Sequence, residues 1–197
     1  MGHTQLHFTK TRWQFRYNHG GILRQKRRGR KARPLSTKAP IHLVLKTDIR
    51  SLCRGLRSPL GFYLINYIIK TYARRFFVKV EQVSINHDHV HLLVRFSRRS
   101  LGQHFLRVVT GQIAQQFKNN GFLAAAKSVT DTPATKPRKS AKLWKYRPFT
   151  RVIQGWKPYL IVRNYIQLNI KEASGQIKYK PRRLRGLSLA EWQILWT

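Results

Sequence analysis

The chain has 197 residues, with 40 Lys or Arg against 6 Asp or Glu, giving a formal charge of +34 and a sequence pI near 11.7. So large an excess demands a polyanionic partner such as nucleic acid, while 42% hydrophobic and 12% aromatic residues supply a packed core and exclude a disordered polycation. The length suits one catalytic domain with basic extensions. No stretch approaches the ~20 apolar residues of a membrane span, and the single Cys53 excludes disulfides and cysteine zinc clusters.

The start, Met1-Gly2-His3-Thr4-Gln5, lacks the apolar core of a signal peptide, so the protein is expected to stay where it is made, in the cytoplasm and on the nucleoid. Residues 1–40 combine Trp13, Phe15 and Tyr17 with the pair Gly20-Gly21 and a basic run holding Arg24, Lys26, Arg27, Arg28, Arg30 and Lys31. No apolar periodicity runs through them. We read a basic N-terminal arm that orders on nucleic acid, with Trp13 stacking on bases and the cations meeting phosphates. A solvated tail or a localisation signal fits the same residues.

Pro40 ends the arm, and a domain covering residues 41–175 follows. Ile41 to Lys46 reads as a short buried strand. Ser58-Pro59 is a helix start, and Leu60, Leu64, Tyr67, Ile68 and Tyr72 recur at helical spacing to about residue 74. Phe77 to Ile85 is a strand, Asn86-His87-Asp88 a turn, and His89 to Phe96 the hairpin partner. Ser100 and Gln103 form a capping-box pattern ahead of Leu101, Phe105, Val109, Ile113 and Phe117, a second helix that closes near Asn120 and Gly121. Residues 123–141, rich in Ala, Thr, Lys and Pro, read as a flexible insertion. Leu143 to Ile153 holds the last strand, interrupted near Pro148 and expected at the sheet edge. Here Lys145 and Arg147 are further candidate DNA contacts. Pro158 opens a third helix running to about Ala173 with Gly175 as its stop, and residues 176–197 form a basic tail with a short helix. This order predicts an α+β fold: a split β-α-β antiparallel sheet with helices on one face, plus one added helix.

Along a strand, side chains i and i+2 point the same way. His89 and His91 therefore project together while Val90, Leu92, Val94 and Phe96 line the other face. Two adjacent imidazoles on so cationic a chain repel when protonated, and sharing a divalent cation keeps them neutral. Taken alone, a His-x-His on a strand is as readily incidental surface. On the third helix, Tyr165 and Asn169 stand one turn apart on one face. A tyrosine there can act as a nucleophile in phosphoryl transfer, or it can be a core aromatic beside Val162, Ile166 and Leu168. His42, His104, His3, His7 and His19 have no partner at ligand spacing; Cys53 reads as a small buried residue. His87 and Asp88 read as turn residues.

The segment His87-Asp88-His89-Val90-His91-Leu92-Leu93-Val94 resembles the HUH signature of single-tyrosine transposases, and Tyr165-Ile166-Gln167-Leu168-Asn169 resembles their tyrosine helix. The pattern is most similar to REP-associated tyrosine transposases, over residues 40–175. The resemblance implies a ferredoxin-like domain of the HUH endonuclease type, with His89, His91 and Asn169 holding Mg²⁺ or Mn²⁺. It also implies single-stranded DNA with hairpin elements as the partner, a 5′ phosphate left on Tyr165 and a free 3′ hydroxyl. Ile170 stands where that family often has Pro, and His87-Asp88 where it often has Pro-Asn; these departures bear on target preference more than on chemistry. The residues leave monomer and homodimer both open.

Two rivals remain at this stage. A carboxylate-based nuclease needs clustered acids, and Asp48, Glu81, Asp88, Asp131, Glu172 and Glu191 form no such group in sequence. A non-catalytic DNA- or RNA-binding protein of the same fold accounts for charge and aromatics equally well, but gives no reason for His89, His91, Tyr165 and Asn169 to stand in register.

Overall fold

The computed structural model describes residues 17–24, 32–123 and 142–197. Among them, five strands, β1 (Asn18–His19), β2 (Ile41–Lys46), β3 (Val78–Ile85), β4 (His89–Phe96) and β5 (Phe149–Val152), form one sheet in the order β1-β5-β2-β4-β3. Every neighbouring pair is antiparallel. The described α-helices are α1 (Pro59–Arg75), α2 (Arg99–Asn119), α3 (Trp156–Ala173) and α4 (Leu189–Ile194). The path β2-α1-β3-β4-α2-β5 is the expected split β-α-β arrangement, with β2 and β4 central.

Alternation decides which face is core. Ile41, Leu43 and Leu45 of β2 and Val90, Leu92, Val94 and Phe96 of β4 are buried on one face against Ile65, Ile68, Ile69 and Ala73 of α1 and Phe105, Val109, Ile113 and Phe117 of α2. Each fully buried side chain of this size stabilises the fold by about 1.5–3 kcal/mol relative to exposure. Helix α1 begins as its sequence predicts: Pro59 occupies the first turn, and the Ser58 hydroxyl accepts from the Gly61 amide. The capping box expected of Ser100 and Gln103 does not form. Helix α2 starts at Arg99 from an extended Arg98, which places Ser100 already inside the first turn. Phe96 sets that start: a Cβ on Gly102 would lie 2.6 Å from the Phe96 ring, so glycine lets the helix begin immediately against the end of β4.

The two helices of the split motif share one face, as expected, and the added helix α3 covers the other. There Val162 and Ile166 pack with Leu93 and Ile153. This second, smaller core exists because Leu93, unlike its neighbours Leu92 and Val94, points to the site side of β4.

Strand β5 is not at the edge. Asn18 pairs with Arg151 and His19 with Thr150, so β1 lies outside it. Part of the segment read as an arm is thus built into the fold. Gly20, at φ +84°, runs so close to β5 that a Cβ would meet the Pro148 carbonyl oxygen at 2.0 Å. Arg33 donates to that same oxygen at 2.7 Å and to the Thr150 hydroxyl at 2.9 Å, while Tyr17, Leu35 and Ala39 pack on the main core. A two-residue strand has no periodicity to read, which is why the sequence does not announce it.

Beyond α3 the chain folds back. Ile177 and Leu195 bury against Leu168, and Ser188 with Glu191 forms a true capping box that opens α4.

Candidate active site

Register across the sheet assembles the site from separate strands. On β4, His89 and His91 project together on the side opposite Val90 and Leu92, with ring centroids 4.8 Å apart. β2 runs beside β4, with Val44 opposite His91 and His42 opposite Leu93, so His42 reaches the same face. Its Nε2 lies 3.0 Å from His91 Nδ1, and the two rings lie edge to edge with centroids 5.2 Å apart and planes 20° apart. His42, which has no partner at ligand spacing in the sequence, finds one 49 positions away once the strands pair.

The turn before β4 holds the other imidazole. Asp88 Oδ1 lies 2.5 Å from His89 Nδ1, and Asn86 Nδ2 lies 3.1 Å from His89 Nε2. The turn is closed by the Asn86 amide donating to the His89 carbonyl at 2.8 Å, and Asp88 ties it to the end of β2, its carbonyl accepting from the Thr47 amide and hydroxyl. In addition, its carboxylate orients His89. Burial raises the Asp88 carboxyl, but the hydrogen bond and charge of His89 and the nearby Lys46 outweigh it and hold the group below its ordinary value. His87 is structural: its ring fills the space over Gly55, where a Cβ would come within 2.4 Å.

Burial makes the inner pair neutral. His91 is 5% exposed; desolvation, then the charges of His42, His89 and Arg183, pushes its pKa well below the ordinary value. Desolvation followed by Arg151 brings His42 to about 4. His91 Nε2 is buried with no hydrogen-bond partner, an atom that normally demands one.

Helix α3 lays the tyrosine over this face. Tyr165 meets His91 edge-on, with centroids 5.4 Å apart and an interplanar angle of 87°. One turn on, Asn169 is committed at both ends: its Nδ2 donates to the Tyr165 carbonyl at 2.7 Å, and its Oδ1 accepts from Arg183 Nη2 at 2.7 Å. Arg183 was not legible as a site residue, because it lies in the basic tail. Its guanidinium sits 5.0 Å from the Tyr165 ring centroid, and its Nη1 donates to both Glu172 oxygens at 2.7 and 3.0 Å. Its backbone takes the left-handed φ of +54°, uncommon for a residue with a side chain.

The structure thus brings His89, His91, Tyr165 and Asn169 together and adds His42, Asp88 and Arg183. Imidazole nitrogens and an amide oxygen are donors suited to a divalent cation. The orphaned His91 Nε2 fits such an ion, whereas both His89 ring nitrogens already meet Asp88 and Asn86 and the Asn169 oxygen is taken by Arg183. No group of three His, Cys, Asp or Glu gathers at ligand distance among the described residues. Of the candidate DNA contacts, Lys145 and Arg147 are exposed just before β5. Arg24 enters as the last residue of a 3-10 helix, Gly21–Arg24, and Trp13, Lys26, Arg27, Arg28, Arg30 and Lys31 lie outside the described residues. No described helix is long and apolar enough to cross a membrane.

Fold and cluster together define a class: a ferredoxin-like α+β domain with a two-histidine strand beneath a tyrosine-bearing helix. Among solved structures the chain is similar to a REP-associated tyrosine transposase bound to a REP hairpin, with a TM-score of 0.52, 14% identity and 77% of each chain covered. It also matches a Deinococcus radiodurans protein assigned provisionally as a transposase, with a TM-score of 0.40, 15% identity, and 72% of this chain and 95% of that one covered. The first likeness shows that the chain has the fold expected from its two motifs. No protein-family model and no curated protein matches the chain.

Proposed function

We propose that the protein is a metal-dependent single-stranded DNA endonuclease and strand transferase, a transposase-type enzyme that nicks beside DNA hairpins through Tyr165. The observation that carries this reading is the placement of the Tyr165 ring edge-on to His91, on the one face of the sheet that also holds His89. A pure nucleic-acid binder needs the charge but not that juxtaposition.

His91 and His89 would hold Mg²⁺ or Mn²⁺, His89 by exchanging its Asn86 contact for the ion, and Asn169 could join them only where Arg183 gives up the amide oxygen. Bound there, the ion would polarise the scissile phosphate. The chain's own groups do the rest. The Tyr165 Oη attacks phosphorus and loses its proton as the O–P bond forms. The bond from phosphorus to the 3′ oxygen breaks, and that oxygen leaves with a proton as a free 3′ hydroxyl. The 5′ phosphate stays on Tyr165 as a diester, so its energy is conserved. Attack by another 3′ hydroxyl reverses each change and joins the strands. Asp88 keeps the His89 ring in one orientation throughout, the supporting role a carboxylate commonly plays for a ligating imidazole.

The large positive charge suits the phosphates of a folded single strand, and the REP hairpin in the structural neighbour supports a hairpin as the substrate element. The test is cleavage of a labelled single-stranded oligonucleotide carrying a hairpin, with and without Mg²⁺ or Mn²⁺. Cleavage should need the ion and vanish in His89→Ala and His91→Ala; cleavage that persists with chelator would refute the reading.

A further inference from the structure

We propose that His42 is a positioning residue that fixes the tautomer of His91, forcing its proton onto Nδ1 so that the Nε2 lone pair faces the site. The inference rests on the proposed metal-dependent reaction for its purpose, but not for its evidence.

One hydrogen bridges His42 Nε2 and His91 Nδ1, which are 3.0 Å apart, and it can belong to either ring. If His42 donated it, a neutral His91 would carry its own proton on Nε2. That atom is buried and has no acceptor, so the arrangement would bury an unsatisfied donor. If His91 donates, its Nδ1–H is satisfied by His42, and what remains at Nε2 is a lone pair, the form of imidazole that ligates a cation. Only the second arrangement leaves the His91 ring chemically useful.

The fold gives His42 no other evident task. Its strand neighbours Ile41 and Leu43 belong to the main core, whereas its own side chain is buried, 9% exposed, on the site face. Antiparallel register alone puts it there, two positions along β2 from Val44, the residue opposite His91. The two rings lie edge to edge and nearly coplanar, with centroids 5.2 Å apart and planes 20° apart, the alignment that an in-plane hydrogen bond between ring nitrogens requires. His89 is held differently, by Asp88 and Asn86 from the turn. Each histidine of the pair therefore has its own orienting partner, one anionic and one neutral.

The test uses the full chain in three forms: wild type, His42→Phe and His42→Gln. Phenylalanine keeps a planar ring but offers no acceptor; glutamine places a carbonyl oxygen about where Nε2 stands. Nitrogen-15 chemical shifts of the His91 ring in the metal-free protein report the tautomer directly. Wild type and His42→Gln should show the proton on Nδ1, while His42→Phe should show an Nε2-protonated population. Mn²⁺ affinity, read by electron paramagnetic resonance, should fall about 10- to 100-fold in His42→Phe and recover in His42→Gln. A wild-type His91 protonated on Nε2, or a His42→Phe protein with unchanged shifts, overturns the proposal. A wild type that binds no Mn²⁺ refutes the metal-dependent reading instead, and the tautomer still decides the role of His42. Circular dichroism on all three chains separates a loss of fold, which would leave both readouts changed in His42→Gln as well.

Discussion

Tyr165 and His91 meet ring to ring at 5.4 Å, nearly perpendicular, although 74 positions of sequence separate them. Neither element alone fixes that meeting. β4 turns His91 to the site face, and helix α3 is pinned above it by Val162 and Ile166 packing on Leu93 and Ile153. The geometry of this pair thus depends on a small apolar cluster beside it.

Ile166 is fully buried in that cluster and adjacent to Tyr165. Ile166→Ala should destabilise the protein by about 2–5 kcal/mol and slow strand cleavage further by loosening the tyrosine helix. Denaturant titration and cleavage rates check both; a stable variant with full activity would show that α3 is held by something else.

Arg183 ties the C-terminal segment to α3 through Glu172 and Asn169. Its removal leaves a largely buried carboxylate without its guanidinium partner. Arg183→Ala should weaken the docking of residues 176–197 by about 1–3 kcal/mol, seen as faster amide hydrogen exchange there than in β2 or β4. Equal exchange in wild type and variant would contradict this.

Glu191 accepts from Lys180 Nζ at 2.6 Å and from the Ser188 amide at 2.9 Å. The Lys180 hydrogen bond first, then the Ser188 amide, holds its carboxyl below the ordinary 4.5. A depressed folded pKa means the carboxylate supports α4 above pH 4.5, and that support is lost as pH falls through the folded value. Carbon-13 titration of the Glu191 carboxyl should give a midpoint below 4.5; a midpoint at or above it would show that the cap is not formed.

Much of this architecture is legible in the sequence because the signals are periodic. Alternation around His89 and His91 locates both their strand and their face, and Ser58-Pro59 marks a helix start. The distance between Tyr165 and the histidines is not legible, since it arises from packing across the sheet. His42 is missed for the same reason: β2 reads as a nearly continuous apolar run, and its partner on β4 is fixed only by strand pairing. Arg183 is one cation among 40, and nothing in its neighbours reveals that the tail folds back. The capping pattern at Ser100 misleads because Gly102 lets the helix begin earlier than the pattern implies.

The basic run tests the electrostatic part of the account. Changing Lys26, Arg27, Arg28, Arg30 and Lys31 together to Gln should weaken single-strand binding and reduce the slope of log affinity against log salt by up to about 3.5, at about 0.7 per phosphate contact. An unchanged slope would return the run to a solvated segment.

The central claim is that Tyr165 becomes covalently joined to DNA. After reaction with a hairpin-bearing single strand and Mn²⁺, nuclease digestion and peptide mass spectrometry should find a nucleotide 5′-phosphate on the peptide containing Tyr165. Tyr165→Phe should form no adduct and lose cleavage by about 10³-fold or more. An adduct on another residue, or one that forms undiminished in Tyr165→Phe, would contradict the account.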